Sequence, residues 1–173
     1  GGKIIQAIGS SHDFGYSVTV QPDGKIVVAG NASNGFGNDF ALLRYNSNGS
    51  LDAGFGTSGK VITNIGMDDV CYSVALQPDG KIVAAGYIST GNFINFALAR
   101  YNANGSLDTS FGTGGTVTTA VVSDPTWEFY NNTGYSVAIQ TDGKIVVAGY
   151  APDASGSSYD FALVRYNVDG NLD

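Results

Sequence analysis

One sentence of sequence is written three times in this chain. Residues 16–30, 72–86 and 135–149 each read Tyr-Ser-Val, two variable residues, Gln, a turn, then Lys-Ile-Val, one variable residue, Ala-Gly. Each copy is followed by Phe-Ala-Leu-x-Arg-Tyr-Asn, at residues 40–46, 96–102 and 161–167. Self-similarity at this period marks a repeat architecture, in which one unit cannot bury its own faces and neighbours must stack on it. A residue present in every copy is expected to serve the architecture. Function is expected where the copies differ or join.

Within a copy the reading is all β. Tyr72, Val74 and Leu76 alternate onto one face, Pro78, Asp79 and Gly80 form a turn, and residues 81–86 return as an antiparallel partner. A variable loop leads to Phe96, Leu98 and Arg100 on one face and Ala97, Ala99 and Tyr101 on the other. Both faces are largely apolar, so that strand is expected to be covered on both sides. Val, Ile, Thr, Tyr, Phe and Gly dominate, which disfavours helix. Each unit thus carries about four short strands, the content of one β-propeller blade. The expected repeats span about 2–58, about 59–114 and about 115–173, in one domain. Ring closure ordinarily needs at least about four blades, so three are expected to stay open or to be completed by a neighbouring chain.

The strings Gln-Pro-Asp-Gly-Lys-Ile-Val-Val-Ala-Gly, Asp-Phe-Ala-Leu-x-Arg-Tyr-Asn and Gly-Ser-Leu-Asp-x-x-Phe-Gly-x-x-Gly-Lys-Val resemble the delta-60 repeat, a family of bacterial β-propeller-like repeats of large surface and secreted proteins. The resemblance implies a propeller-type fold and an extracellular or cell-surface setting, and it carries no catalytic residues. Thr141 replaces the turn proline in the third copy, and Thr116 replaces the lysine seen at Lys3 and Lys60.

Composition narrows the function classes. The net charge is −7, and six of the eight cations are repeat positions: Lys25, Lys81, Lys144, Arg44, Arg100 and Arg165. Phosphate binding needs clustered cations, so neither nucleic acid nor an anionic membrane is expected as a partner. No run approaches a membrane span. Cys71 stands where the other copies have Gly15 and Gly134, and is expected to be a small buried filler. Gly54, Gly56 and Gly59 fit a dinucleotide fingerprint, but a β run follows instead of a helix, so a repeat-junction turn is expected. The lone His12 cannot make a histidine metal cluster. Asn34, Asn38 and Asp39, or Asp153, Ser155 and Asp160, lack recognised calcium spacing. No catalytic, metal or cofactor residues are assigned, and no enzyme activity is expected.

Arg44, Arg100 and Arg165 lie on otherwise apolar strands and are expected to pair with Asp52, Asp108 and Asp173. Tyr45, Tyr101 and Tyr166 are expected to serve as core or inter-blade packing. Trp127, Phe129 and Tyr130 occur in an insertion unique to the third unit and are a candidate contact loop. Asn31, Asn48, Asn104 and Asn131 are sequons, with Asn31 and Asn131 expected in variable loops.

The start and stop of the sequence also carry an expectation. Lys3, Ile4 and Ile5 match Lys60, Val61 and Ile62, the run that should follow Leu172 and Asp173. The N-terminal run is therefore expected as an assembly strand. It could close the third blade within one chain, two chains could pair to give six blades, or it could complete the last blade of a neighbour, the same picture holding for a segment of a longer covalent array. The expected function is an extracellular structural repeat protein that assembles head to tail into a surface fibre or scaffold, with copies of itself as partner. The alternative is an adhesin-like module that holds glycan or protein ligands through its variable loops.

Overall fold

A computed structural model describes residues 2–123 and 129–173. The described residues are all β, in three antiparallel sheets. The first holds β1 (Asp13–Val20), β2 (Ile26–Ser33), β3 (Asn38–Tyr45) and β4 (Lys60–Thr63), in that order. The second holds β5 (Asp68–Leu76), β6 (Ile82–Ser89), β7 (Phe93–Tyr101) and β8 (Thr116–Thr119), with the short β9 (Tyr130–Asn131) parallel to β7. The third holds β10 (Thr133–Ile139), β11 (Ile145–Pro152) and β12 (Tyr159–Tyr166). These are three blade-like sheets.

The sheets are offset by one strand from the frame read in the sequence. The run 60–63 pairs with β3, Phe40 opposite Thr63 and Leu43 opposite Lys60. It closes the first sheet instead of opening the second. The reason is local. The Gly54–Gly59 segment folds into a tight reversal held by Gly59 N donating to Phe55 O at 2.8 Å, and this returns the chain antiparallel to β3. β8 repeats the arrangement on β7.

The first hairpin turn needs little more than Asp-Gly. Asp23, Asp79 and Asp142 each accept the backbone N–H two residues on, at 3.0–3.1 Å. Gly24, Gly80 and Gly143 hold φ of 82–84°, where a side chain is strained. Thr141 therefore substitutes for Pro22 and Pro78 without changing the turn. At the other end of each first strand a bulge lies between Gly15 and Ser17, Cys71 and Ser73, and Gly134 and Ser136. The facing glycines Gly30, Gly86 and Gly149 are obligatory. A Cβ there would sit 1.8, 1.8 and 1.9 Å from the carbonyl oxygens of Phe14, Val70 and Thr133.

Two cores join the sheets. Phe40, Leu42 and Phe55 pack on Ile82, Ala84, Ala97, Ala99 and Tyr101. Phe96, Leu98 and Phe111 pack in the same way on Ile145, Val147, Ala162, Val164 and Tyr166. The middle sheet is thus covered on both faces and each outer sheet on one. Cys71 is fully buried in the first core, and burial pushes its thiol up to about 12. It is small buried filler there, as expected.

Candidate functional site: two open faces and an aromatic row

Both junctions between sheets are built from the same polar contacts. Ser17 Oγ accepts Val74 N at 3.2 Å, and Ser73 Oγ accepts Val137 N at 3.1 Å. Gly56 N donates to Asn104 O, and Gly112 N to Asp169 O, each at 2.8 Å. Tyr101 Oη and Tyr166 Oη donate to Thr63 and Thr119 Oγ1 at 2.8 and 2.9 Å. Arg44 and Arg100 each donate through Nη1 across the junction, to Ala103 O and Val168 O.

Those arginines also pair within their own sheet. Arg44 Nε meets Asp52, and Arg100 Nε meets Asp108, at 2.8 Å. Lys25 and Lys81 reach the same carboxylates at 3.0 and 3.1 Å. The hydrogen bond from Lys25, with the Arg44 charge, holds Asp52 below the usual carboxylate range. Burial raises Asp108, but hydrogen bonds from Ser110 and Lys81 and the Arg100 charge outweigh it and leave its pKa lowered. Each guanidinium lies over a phenyl ring, Phe55 at 4.4 Å and Phe111 at 4.5 Å. The expected ion pairs are therefore formed. Asp173 likewise pairs with Arg165 and Lys144.

At the outer sheets the same residues are left half-made. Phe161 is 105% exposed and Leu163 71%, whereas Phe96 and Leu98 are 0%. Arg165 is exposed where Arg44 and Arg100 are buried. On the opposite side of the molecule Val18 and Val20 are each 62% exposed, whereas Val74 is 8%. So the third sheet presents the face that a blade lays on its successor, and the first presents the face that receives it.

Lys3, Ile4 and Ile5 form no strand and do not join β12 of their own chain. Closure of the third blade within one chain is thus not what the structure adopts. Gly2, Lys3, Ile4, Gln6 and Ile8 instead border a groove of about 710 Å³ over the open face of the first sheet, with Phe14, Val28, Leu43 and Tyr45. Lys60 Nζ donates to Ala7 O at 2.7 Å. Ile5 is wholly exposed. The outer edge of β12 has no fourth strand among the described residues. Leu172 forms one bridge to Tyr166.

Other sequence candidates fall apart or are corrected. Asn31 is not in a loop. It lies in β2, 3% exposed, its Nδ2 donating to Asn38 Oδ1 at 2.7 Å, so a glycan there would have to open the sheet. Asn131 is half-buried in β9. Asn48 and Asn104 are exposed, each accepting the N–H two residues on, from Ser50 and Ser106. Phe129 is exposed, while Tyr130 stacks on Phe93 with centroids 4.5 Å apart. Trp127 lies outside the described residues. Asn34 is spent on Asp39, and Asp153 on Ser155, Ser157 and Ser158. Among the described residues no three His, Cys, Asp or Glu side chains gather as a metal site. No helix among them is long and apolar enough to cross a membrane.

One assembly of residues escaped the sequence reading. Tyr16, Tyr72 and Tyr135 are the bulged residues of β1, β5 and β10, and the bulge turns them toward one another. Their ring centroids are 5.2 and 4.9 Å apart in succession. The row extends through Phe14 and His12 at one end, and through Tyr150 and Tyr159 at the other. The signal was present, a tyrosine at the head of every copy, but without the bulge it reads as a core position.

The DUF5122 β-propeller family, a domain of unknown function, matches residues 21–55, 77–111 and 140–173. The chain belongs to this family. The DUF5122 matches run from the first hairpin turn through the second and third strands to Phe55, Phe111 and Asp173, and each takes in its Arg–Asp pair. No curated protein matches the chain.

Proposed function

We propose that this DUF5122 chain is a structural, non-catalytic repeat protein that assembles head to tail with copies of itself, as a fibre or scaffold at the cell surface or outside the cell. The observation that carries the reading is the pair of open faces, whose strand residues, Phe161, Leu163, Arg165 and Ser136 on one and Val18, Val28 and Tyr45 on the other, match the two halves of a junction already made twice inside the molecule. Phe161 and Leu163 of one copy would take the place of Phe96 and Leu98, against Val18, Val28 and Tyr45 of the next. Arg165 would donate to Ser47 O, and Ser136 Oγ would accept Val18 N. Fully burying Phe161 and Leu163 is worth about 1.5–3 kcal/mol each. Heterologous contacts of this kind extend unless the rotation closes.

Strand addition supplies the missing edge. By the register of β4 on β3, Lys3 would pair with Val164, Ile4 with Leu163, Ile5 with Ala162 and Gln6 with Phe161 of the preceding copy. Such pairing contributes main-chain hydrogen bonds along an otherwise open edge.

Two single-site variants test the reading by sedimentation and negative-stain microscopy. Phe161→Glu blocks the donating face and Val18→Glu the receiving one. The intact chain should elongate, each variant alone should stay monomeric, and an equimolar mixture should stop at a dimer. An intact chain that stays monomeric, or variants that still elongate, rejects the reading. Deleting residues 1–8 without effect on assembly rejects strand addition alone.

A further inference from the structure

The aromatic row across the first strands crosses both blade junctions, where Tyr16 meets Tyr72 and Tyr72 meets Tyr135, yet it leaves ring surface open. The repeat keeps Tyr16, Tyr72 and Tyr135 identical, yet Tyr16 and Tyr135 are 50% and 49% exposed, as Phe14 and Tyr159 are at 50% and 55%. About half of each of these rings stays open to solvent. The row crosses all three sheets and is continuous, with neighbouring centroids 4.9–6.4 Å apart. It offers a long, partly exposed aromatic surface.

Its chemistry narrows what it can hold. The rings have apolar faces, and most carry a phenolic hydroxyl that can donate or accept. Polar groups at the margin are acceptors or neutral: Asp68, which accepts Tyr87 Oη at 3.3 Å, and Asn131, whose Nδ2 donates to Tyr159 Oη at 3.4 Å. Cations are held elsewhere. The repeat lysines and arginines converge on Asp52, Asp108 and Asp173, toward the first-hairpin ends of the strands. Lys60 is on Ala7 O. An anionic ligand would find no lysine or arginine along the row among the described residues, within a chain of net charge −7. A compact cation would want an enclosing cage, and an open line of touching rings is not one.

We propose that this row is a binding platform for a neutral oligosaccharide, whose sugar rings lie on the exposed tyrosine and phenylalanine faces while its hydroxyls bond the phenols, Asp68 and Asn131. The platform exists within one chain, so it is independent of self-assembly.

The test is saturation-transfer NMR followed by titration with cellohexaose, chitohexaose and maltohexaose, and with a heparin hexasaccharide as the anionic control. At least one neutral hexasaccharide should bind and the heparin fragment should not. An aromatic contact worth about 0.5–1.5 kcal/mol means that Tyr16→Ala or Tyr135→Ala should weaken affinity by about two- to tenfold. Tyr16→Phe should stay within about twofold, because it keeps the stacking face. Both positions are half-exposed, and thermal melts check that the variants fold. Should one melt early, Tyr159→Ala reads the same platform from its end. Absence of binding by all three neutral sugars, preferred binding of the heparin fragment, or affinity unchanged in folded alanine variants overturns the proposal.

Discussion

Phe96 and Phe161 occupy the same place in consecutive copies, and deleting each ring should have opposite consequences. Phe96 is fully buried between the second and third sheets, beside Leu98, Phe111 and Val147. Phe96→Ala removes a buried aromatic from a packed junction, at a cost of about 3–5 kcal/mol. For a chain of this length about 1 kcal/mol moves the melting temperature by about 2–4 °C, so the loss is about 6–20 °C. Phe161 is fully exposed in the isolated chain. Phe161→Ala should therefore shift monomer stability by no more than about 0.5 kcal/mol. The assay is urea unfolding at low protein concentration, followed by thermal melts over a concentration series. The parent's melting temperature should rise with concentration, because association stabilises the folded state by mass action. Phe161→Ala should abolish that rise. If both variants cost the same at low concentration, the junction reasoning is wrong. If Phe161→Ala leaves the concentration dependence intact, the open face is not the docking face.

Asp69 gives a second prediction. It is fully buried, its Oδ2 accepts Ile65 N and Gly66 N, and its Oδ1 has no partner. Asn132 fills the same position in the third copy, and its Nδ2 donates to Ile94 O and Val122 O at 3.2 and 3.1 Å. Burial raises the Asp69 pKa, so its contribution to stability is complete below the unfolded value, about 4, and is lost as pH rises through the raised folded value. Asp69→Asn should remove that slope and stabilise the fold at neutral pH by about 1–3 kcal/mol; equal or lower stability in urea at pH 7 counts against it. Asp108 has the opposite sign: its pKa is lowered, so its contribution is present above the unfolded value and lost as pH falls toward the folded one. Asp108→Asn should therefore flatten the acid limb of the stability profile, measured by urea unfolding from pH 5 to pH 2, while an unchanged acid limb would refute the pairing argument. Gly86→Ala should prevent folding of the second sheet, since its Cβ would lie 1.8 Å from Val70 O; a cooperative melt near the parent's would contradict the bulge geometry.

Much of this protein is determined by local chemistry that the sequence states openly. The Asp-Gly turns, the alternation along each strand and the Arg–Asp pairing all follow from residues close in the chain, and the repeat multiplies each by three. The tertiary structure decided what depends on a partner strand or a neighbouring sheet. Lys60 to Thr63 is the last strand of one blade and not the first of the next, because hydrogen bonding to β3 fixes its place and composition does not. Asn31 sits in a strand and not in a loop, because the second hairpin extends to Ser33 opposite Asn38. The tyrosines became a row only through the bulge, which turns Tyr16, Tyr72 and Tyr135 out of the alternation. Above all, Phe-Ala-Leu-x-Arg-Tyr is the same in β3, β7 and β12, yet its Phe and Leu are buried in the first two and exposed in the third. The sequence sets which side chains a blade offers. Whether they are core or surface depends on what packs against them, and that is a property of the assembled sheets.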